Sequence, residues 1–239
     1  MVYRLNLLNR KVKLFLMKKG KLIVIEGIDG SGKATQVALL VDRLRKEGVN
    51  VLDTDFPRYG EPSAYFIEKY LRGEFGSARE VGPYVASLFY ALDRFDSSKK
   101  IKEGLEMGIN IICNRYTSAN LGHQGGKISD KKERDRYIDW LLNFEYKMLG
   151  IPEPDLTILL DIDPKVAQEL ISKKGYRKYT KGKSDIHEQD LGHLEQAREA
   201  YLYAAKKYGW KVISCMDGKK ILPVGEIGEK ILPLVGLVV

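Results

Sequence analysis

The sequence predicts an α/β fold built around a parallel β-sheet. From Lys21 onward, short apolar runs alternate with longer amphipathic runs, which is the pattern of repeated βαβ units. A loop with glycines and a lysine separates the first apolar run from the first amphipathic run, as in a phosphate-binding turn. With 239 residues, 44% of them hydrophobic, the chain can bury a large core. We expect one domain over 17–239, because no linker or internal repeat divides it.

Five strands are predicted, each a short apolar-rich run bounded by Gly, Asn, Asp or Pro. In chain order their sequences are KLIVIEG, NVLDTD, INIICN, DLTILLDI and WKVISC. Between the first two, the segment from Thr35 to Gly48 carries apolar residues at helical spacing and ends on a glycine, which predicts a helix. Helices are expected between the other strands as well, since parallel strands need crossover connections.

The charge of the chain favours a phosphate-rich partner. The formal net charge is +8 and the pI is about 9.2. A nucleic-acid binder would interleave aromatic residues with lysines along a strand face, and the sequence lacks that pattern, so we expect nucleotides and no nucleic acid. No apolar run approaches the roughly 20 residues that span a bilayer, so we expect no membrane association.

The cysteines and the N-terminal segment bear on the cellular setting. Cys113 and Cys215 each lie inside an apolar run, which favours buried thiols in a reducing, cytoplasmic environment over a disulfide framework. Residues 1–16 contain basic and apolar side chains and match neither a signal peptide nor a transit peptide. We expect them to form a basic extension outside the fold.

A phosphate-binding loop is predicted between Gly27 and Lys33. Its spacing is G-x-x-x-x-G-K, and it follows a strand and precedes a helix, which is the context that such a loop requires. Backbone amides would surround phosphate oxygens and the lysine would reach the terminal phosphates. Ala34 stands where the usual Ser or Thr would bind magnesium, so Asp29 is the candidate metal ligand. The predicted nucleotide-binding residues are Gly27, Asp29, Gly30, Ser31, Gly32, Lys33, Ala34 and Thr35.

Beyond this loop, several segments occur in the order and spacing of one enzyme family. These segments are EGIDGSGKATQ, DFPRYGEPSA, SLFYALDRF, NRYTSAN and EYKMLGIPEPDL. From about Lys19 to its end, the chain resembles thymidylate kinases. The resemblance implies a three-layer P-loop kinase fold with a five-stranded parallel sheet and a basic lid, and a homodimer. It also implies transfer of the γ-phosphoryl group of ATP to dTMP with Mg2+, a step towards dTTP.

The resemblance assigns five residues to the acceptor nucleotide. Phe56, Arg58 and Tyr59 match the loop at the acceptor phosphate, where a guanidinium can bind an anion. Tyr90 and Arg94 are four residues apart on one helical face, matching the ring that stacks on thymine and the arginine at a base carbonyl. A turn set by proline and an aromatic packed in the core are the structural alternatives.

The segment NRY at the end of the third strand matches an Asp-Arg-aromatic motif. Asn114 replaces the acid, and Arg115 is the candidate for stabilising charge on the transferring phosphoryl group. Asn120 matches a position at the edge of the base. His123 stands where the family has Tyr or Phe near the sugar, so we interpret it as a substrate contact that bears on deoxyribose selectivity.

A basic, glycine-punctuated stretch at about 172–186 is interpreted as a lid over the phosphates. Some family members carry an arginine inside the phosphate loop, where this chain has Gly30. The alternative family pattern supplies that arginine from the lid, which makes Arg177 the third catalytic candidate beside Lys33 and Arg115. Asp185 and Glu188 are further metal candidates, and a helix-capping box explains the same spacing.

We therefore expect an ATP-dependent dTMP kinase. Two alternatives stay open on the sequence alone. One is a kinase of another nucleoside monophosphate, and the other is a nucleotide-binding relative that has lost turnover; both are motivated by the departures at Ala34, Asn114 and His123.

Overall fold

The computed structural model describes residues 18–173, 191–236 and 238–239. Its main sheet is parallel and has the strand order β2-β3-β1-β4-β5. The five strands are β1 (Leu22–Glu26), β2 (Val51–Asp55), β3 (Asn110–Asn114), β4 (Leu156–Asp161) and β5 (Lys211–Ser214). The predicted α/β fold with five parallel strands is confirmed, and each strand lies where the sequence pattern placed it.

Helices connect these strands and follow the last one. They are α1 (Lys33–Lys46), α2 (Tyr65–Leu71), α3 (Ala78–Glu106), α4 (Thr117–His123), α5 (Lys131–Leu142), α6 (Pro164–Ser172), α7 (Leu191–Tyr208) and α8 (Val224–Gly236). Short 3-10 turns occupy Pro62–Ala64 and Gly125–Lys127, and a π-helical segment occupies Asn143–Met148. A small hairpin of β6 (Met216–Asp217) and β7 (Lys220–Ile221), which sequence reasoning missed, precedes α8.

The sheet is buried on both faces. Strand β1 is fully buried and sends alternate side chains to opposite sides, because successive residues of a strand point to opposite faces. Ile23 and Ile25 pack with apolar residues of α1, α7 and α8. Leu22 and Val24 pack with Ile101 and other apolar residues on the α3 side. Two layers of helices therefore enclose the sheet, which explains why the strand sequences are continuously apolar rather than alternating.

Parallel strands bring their carboxyl ends to one edge of the sheet, and the loops that follow them meet there. Glu26, Asp55 and Asn114 end three neighbouring strands, and Asp55 is the register partner of Asn114. The phosphate-loop sequence follows the first of these residues, FPRYG the second and RY the third. One edge of the sheet thus gathers three of the segments that the sequence singled out.

Some predicted features fall outside this description. Residues 1–16, most of the predicted lid at 172–186, Arg177, Asp185 and Glu188 all lie outside the described residues. Across the part of the chain that the structure describes, no helix combines the length and apolar character needed to cross a membrane.

Candidate functional site

A cavity of about 430 Å³ opens at the carboxyl edge of the sheet. Its walls come mainly from the loops after β1, β2 and β3, from the middle of α3 and from α4. We call it the nucleotide cavity. Its lining residues are Asp29, Gly30, Gly32, Lys33, Ala34, Asp55, Phe56, Pro57, Tyr59, Leu71, Tyr90, Asp93, Arg94, Asn114, Arg115, Tyr116, Ala119, Asn120, His123 and Gln124.

The phosphate loop forms the floor of one end of the nucleotide cavity. Gly30 and Gly32 have φ of 81° and 84°, a left-handed conformation that residues with a Cβ rarely adopt. The side chain of Lys33 folds back over the loop, and its Nζ donates to the carbonyl oxygens of Gly27 at 2.9 Å and Ile28 at 2.8 Å. Phosphate oxygens bound at this loop would compete with these carbonyl oxygens for the ammonium group of Lys33.

Lys33 is buried, and its charge is only partly compensated. Loss of water around the ammonium, together with repulsion from Arg115, lowers the pKa of Lys33 from 10.5 to about 7. The carboxylates of Asp29, Glu26 and Asp55 act in the opposite direction but do not cancel these effects. An anion bound at this end of the cavity would therefore stabilise the charged form of Lys33.

Gly30 has no room for a side chain. A Cβ built at this position would lie 2.4 Å from the carbonyl oxygen of Ala167 in α6. An arginine at this place in the loop would therefore displace α6. The close approach of α6 gives a physical reason why this loop carries glycine there and why a catalytic arginine would have to come from elsewhere.

Arg115 projects from the end of β3 with an unusual backbone. Its φ of 64° is the one positive value among the described non-glycine residues. The guanidinium donates to Asp29 Oδ1 at 2.7 Å and to His123 Nε2 at 2.7 Å, with Tyr201 Oη at 3.5 Å. Burial is the largest single effect and opposes its charge, but the carboxylates of Asp29 and Glu26 together with the hydroxyls of Tyr201 and Tyr59 outweigh it and raise the pKa of Arg115. Arg115 therefore stays charged, beside Lys33, at the same end of the cavity.

The substitution at Asn114 leaves an unusual polar group. Its Oδ1 is buried with no hydrogen-bond partner within the described residues. Its amide interacts with the carboxylate of Asp55, whose pKa is raised by loss of water and lowered in part by Asn114. Buried acceptors are nearly always hydrogen-bonded, so an unpaired one in a cavity wall indicates a place for a donor such as water.

Glu26 organises the site, and sequence reasoning missed it. It is fully buried at the end of β1 and accepts from the backbone amide of Tyr116 at 2.9 Å, from Ser118 Oγ at 2.7 Å and from Tyr201 Oη at 2.9 Å. It thus ties the phosphate loop to the segment around Arg115 and to α7. The one available signal was an acid at the end of an apolar strand.

Aromatic and amide side chains line the other end of the nucleotide cavity, around Tyr90 and Arg94. Arg94 is nearly inaccessible and makes a paired contact with Glu145, at 2.6 Å from Nε and 2.5 Å from Nη2. Glu145 also accepts from Thr117 Oγ1 at 2.7 Å, and Asn120 Nδ2 lies 3.5 Å from it. The predicted pair of Tyr90 and Arg94 does meet the same cavity, but Arg94 is part of a closed ion pair.

Four predicted substrate or nucleotide contacts are absent from the cavity lining, namely Gly27, Ser31, Thr35 and Arg58. Arg58 is absent from the cavity lining and instead donates to Asp93 Oδ1 at 2.9 Å, Asp96 Oδ2 at 2.6 Å and Ser63 Oγ at 2.7 Å. Thr35 is exposed on α1 and is likewise absent from the lining. Phe56, Tyr59, Asn120 and His123 do line the cavity, so the structure brings most of the predicted residues together.

The predicted metal ligand has a different partner in this structure, since Asp29 accepts from Arg115. Within 18–173, 191–236 and 238–239, no group of three or more His, Cys, Asp or Glu residues could hold a metal ion. Magnesium in phosphoryl-transfer sites usually takes most of its ligands from phosphates and water, with one or two carboxylates from the protein. Asp29 and the unpaired Oδ1 of Asn114 fit that pattern, whereas Ala34 contributes no oxygen.

Comparison with known proteins identifies the family. The thymidylate kinase family model matches residues 25–222. The chain belongs to the thymidylate kinase family. A probable thymidylate kinase from Pyrobaculum aerophilum is 34% identical over 193 residues, which cover 80% of this chain and 86% of that protein. The thymidylate kinase of Mycobacterium tuberculosis is 31% identical over 191 residues, with 79% and 87% covered.

A solved thymidylate kinase structure, from Candida albicans, has a related fold. The TM-score is 0.67 at 22% identity, with 92% of each chain covered. At this identity the likeness supports the fold. The family membership confirms the resemblance that the sequence segments carried.

Proposed function

We propose that this protein transfers the γ-phosphoryl group of ATP to dTMP, forming dTDP and ADP. One observation carries the proposal: a single cavity joins the phosphate loop and two cations, Lys33 and Arg115, to a wall of aromatic and amide side chains. Membership of the thymidylate kinase family supports the same conclusion. The alternatives of another acceptor and of a relative without turnover become outcomes of the experiment below.

At the phosphate end, the protein supplies positioning and charge. We infer that the phosphates of ATP lie along the loop from Gly27 to Lys33, and that Lys33 Nζ exchanges its loop carbonyls for phosphate oxygens. An oxygen of the dTMP phosphate attacks the γ-phosphorus in line, and the bond to the oxygen that bridges to the β-phosphorus breaks. No protein base is needed, because the attacking phosphate is already ionised. Arg115 stabilises the charge that spreads over the transferring oxygens.

At the other end, the side chains suit a pyrimidine nucleotide. Tyr90 offers a ring face to a planar base and Asn120 offers an amide to its carbonyl edge, while Arg94, paired with Glu145, maintains the shape of this end. Phe56 and Tyr59 flank the acceptor phosphate in this proposal. Arg58 would reach that phosphate only after leaving Asp93 and Asp96, so we assign it a lesser part than the sequence suggested.

Magnesium is the proposed metal cofactor. Asp29 would hold it together with the nucleotide phosphates, and Asn114 Oδ1 would accept a hydrogen bond from one of its waters. When bound, the ion neutralises phosphate charge. Arg177 is proposed as a further cation from the predicted lid, and Asp185 and Glu188 as further groups near the metal.

We also propose a single-domain, cytoplasmic homodimer. The free, buried thiols of Cys113 and Cys215 suit a reducing compartment. Apolar side chains on α2 and α3 are 46–48% exposed at Phe66, Val85, Leu92 and Phe95, which suits burial against a second copy. Sedimentation equilibrium tests the dimer: a species of twice 27.2 kDa is expected, and a monomer at all concentrations contradicts it.

The kinase proposal is tested by steady-state ADP release from MgATP with dTMP, dUMP, dGMP, UMP or no acceptor. We expect turnover that depends on the acceptor and is highest with dTMP. Arg115→Ala should lower kcat by about 10³-fold or more, because a cation at the transferring phosphoryl group is worth that much. Arg136→Ala, an exposed arginine of α5 outside the cavity, is the control and should match wild type.

Preference for another acceptor would contradict dTMP as the substrate. No turnover with any acceptor, from protein that still binds ATP, would contradict the kinase proposal itself.

A further inference from the structure

Arg115 is the first member of a chain of hydrogen bonds that passes through two histidines. Its Nη1 lies 2.7 Å from His123 Nε2, and His123 Nδ1 lies 3.2 Å from His193 Nε2. The two imidazole rings stack, with centroids 5.4 Å apart and planes 21° apart. Both histidines are more than nine-tenths buried. The chain therefore runs from the cavity wall into the interior and reaches α7.

The chemistry of the groups fixes the direction of this chain. Arginine has donors and no acceptor, so Nε2 of His123 must accept and carry no proton. A neutral His123 then carries its proton on Nδ1 and donates it to His193 Nε2, which must also be unprotonated. His193 therefore has its own proton on Nδ1. Both rings are neutral, and each is held in one tautomer by its neighbour.

A second contact from α7 fixes the same guanidinium. Tyr201 packs edge-on against His123, with ring centroids 5.6 Å apart, and its hydroxyl lies 3.5 Å from Arg115 Nη1. That hydroxyl donates to Glu26 Oε2 at 2.9 Å, so the tyrosine is itself held. Gly122 makes room for this ring, because a Cβ there would lie 2.3 Å from it. Helix α7 thus reaches Arg115 by two routes.

We propose that His123 and His193 are positioning residues, which hold the Arg115 guanidinium in the orientation used for phosphoryl transfer. This inference rests on the proposed kinase function. It changes the part assigned to His123, which the sequence suggested as a contact to the sugar. His123 lines the cavity, but its Nε2 is directed to Arg115, and the second histidine that supports it is 70 residues further along the chain.

The arrangement depends on protonation. The charged or titratable groups around the pair include Arg115 and Tyr201, which in turn contact Asp29 and Glu26. A proton added to His123 Nε2 would face the guanidinium, and a proton added to His193 Nε2 would face the His123 Nδ1 proton. Either event breaks the chain.

The test compares two replacements at His193. In His193→Gln an amide oxygen can accept from His123 in place of Nε2, whereas His193→Leu fills similar space without an acceptor. We expect His193→Leu to lower kcat by about 10- to 100-fold while KM for ATP and dTMP changes less than about threefold, as expected for a misplaced group near the reacting centre. His193→Gln should recover most of kcat. Glu195→Gln, an exposed site on α7, is the control.

Two outcomes of the kinetics would overturn the inference. One is a kcat for His193→Leu equal to that of wild type. The other is an equal loss of kcat in His193→Leu and His193→Gln with parallel loss of thermal stability, which would assign the histidine to packing alone.

A measurement that does not depend on turnover separates this inference from the kinase proposal. Imidazole ¹⁵N chemical shifts of the wild-type protein, at pH 8, should show His123 and His193 as neutral rings protonated on Nδ1. A ring protonated on Nε2 in either histidine would overturn the inference, whether or not the enzyme phosphorylates dTMP. Absence of turnover in wild type, with the expected shifts, would count against the kinase function and leave the hydrogen-bond chain standing.

Discussion

Among the described residues, two arginines line the nucleotide cavity, and their surroundings differ in how completely they balance the charge. Arg94 is 2% exposed and faces a fully buried carboxylate, with both oxygens of Glu145 engaged. The side chain of Arg115 is 14% exposed, and its guanidinium contacts one oxygen of Asp29 and the imidazole of His123. Lys33 lies beside Arg115, and its pKa, lowered to about 7, shows that positive charge at this end of the cavity is poorly compensated.

The difference distinguishes an arginine that maintains the shape of the cavity from cationic residues that can bind a phosphate. A buried ion pair with matched geometry is costly to break, because removing one partner leaves a charge without water or counter-ion. Arg94 therefore holds the shape of the cavity. Arg115 and Lys33 are less fully paired, so an incoming phosphate can replace present contacts at low cost. The predictions below test this contrast, in order of expected effect.

The largest effect is expected on stability, from removing the carboxylates. Glu145→Ala leaves Arg94 buried and unpaired, and should lower the free energy of unfolding by about 3–5 kcal/mol. Asp29→Ala removes a pair whose side chains are 14% and 19% exposed and leaves Arg115 in contact with His123 and Tyr201, so it should cost less, about 1–3 kcal/mol. Urea unfolding at pH 7.5 measures both. Equal losses in the two variants would show that the arginines are held alike.

The next effect concerns the arginines themselves. Arg115→Lys keeps the charge but loses the planar fork, and should lower kcat about 10²-fold with little change in stability. Arg94→Lys should lower the free energy of unfolding by about 1–3 kcal/mol through the lost hydrogen bonds to Glu145. Steady-state kinetics and urea unfolding on the same preparations measure the pair. A large loss of kcat in Arg94→Lys without destabilisation would contradict the proposal that Arg94 only maintains the shape of the cavity.

The smallest effect is a change in protonation at Lys33. Its pKa of about 7 means that most of the lysine is neutral at pH 8 before ATP binds. Phosphate stabilises the ammonium, so binding should take up as much as about one proton at this pH. Calorimetry of MgATP binding in HEPES and in Tris measures this uptake. Lys33→Arg is charged at all these pH values and should show little uptake; equal uptake in the two proteins would contradict the lowered pKa.

The elements of the fold could be predicted because each strand carries its own signal. KLIVIEG and the other strand segments are apolar throughout, since residues on both faces of the central sheet are buried. The phosphate loop could be placed from its glycines, which the backbone needs at φ of 81° and 84°. The start of the first helix was less clear from the sequence. Helix α1 begins at Lys33, whereas the apolar periodicity indicated a start at Thr35, because Lys33 and Ala34 carry no periodic apolar signal.

The sequence predicted which residues form the site but not the contacts that these residues make. The sequence named Arg94 and Arg115, but it did not indicate that Glu145 neutralises the first or that His123 accepts from the second. Nor did it indicate that Arg58 faces Asp93 instead of the cavity. Local propensity carries no information on such choices, since an arginine beside several carboxylates can satisfy its donors in more than one way.

The sequence by itself therefore determined the α/β fold, the phosphate loop and the kinase family, because these depend on local patterns of burial, glycine and charge. The tertiary structure alone decided which buried polar groups meet. Glu26 and Tyr201 are 175 residues apart, and Arg94 and Glu145 are 51 apart. Contacts of this separation arise only when strands and helices pack, and each one exists because a buried charge or hydroxyl must find a partner inside the folded protein.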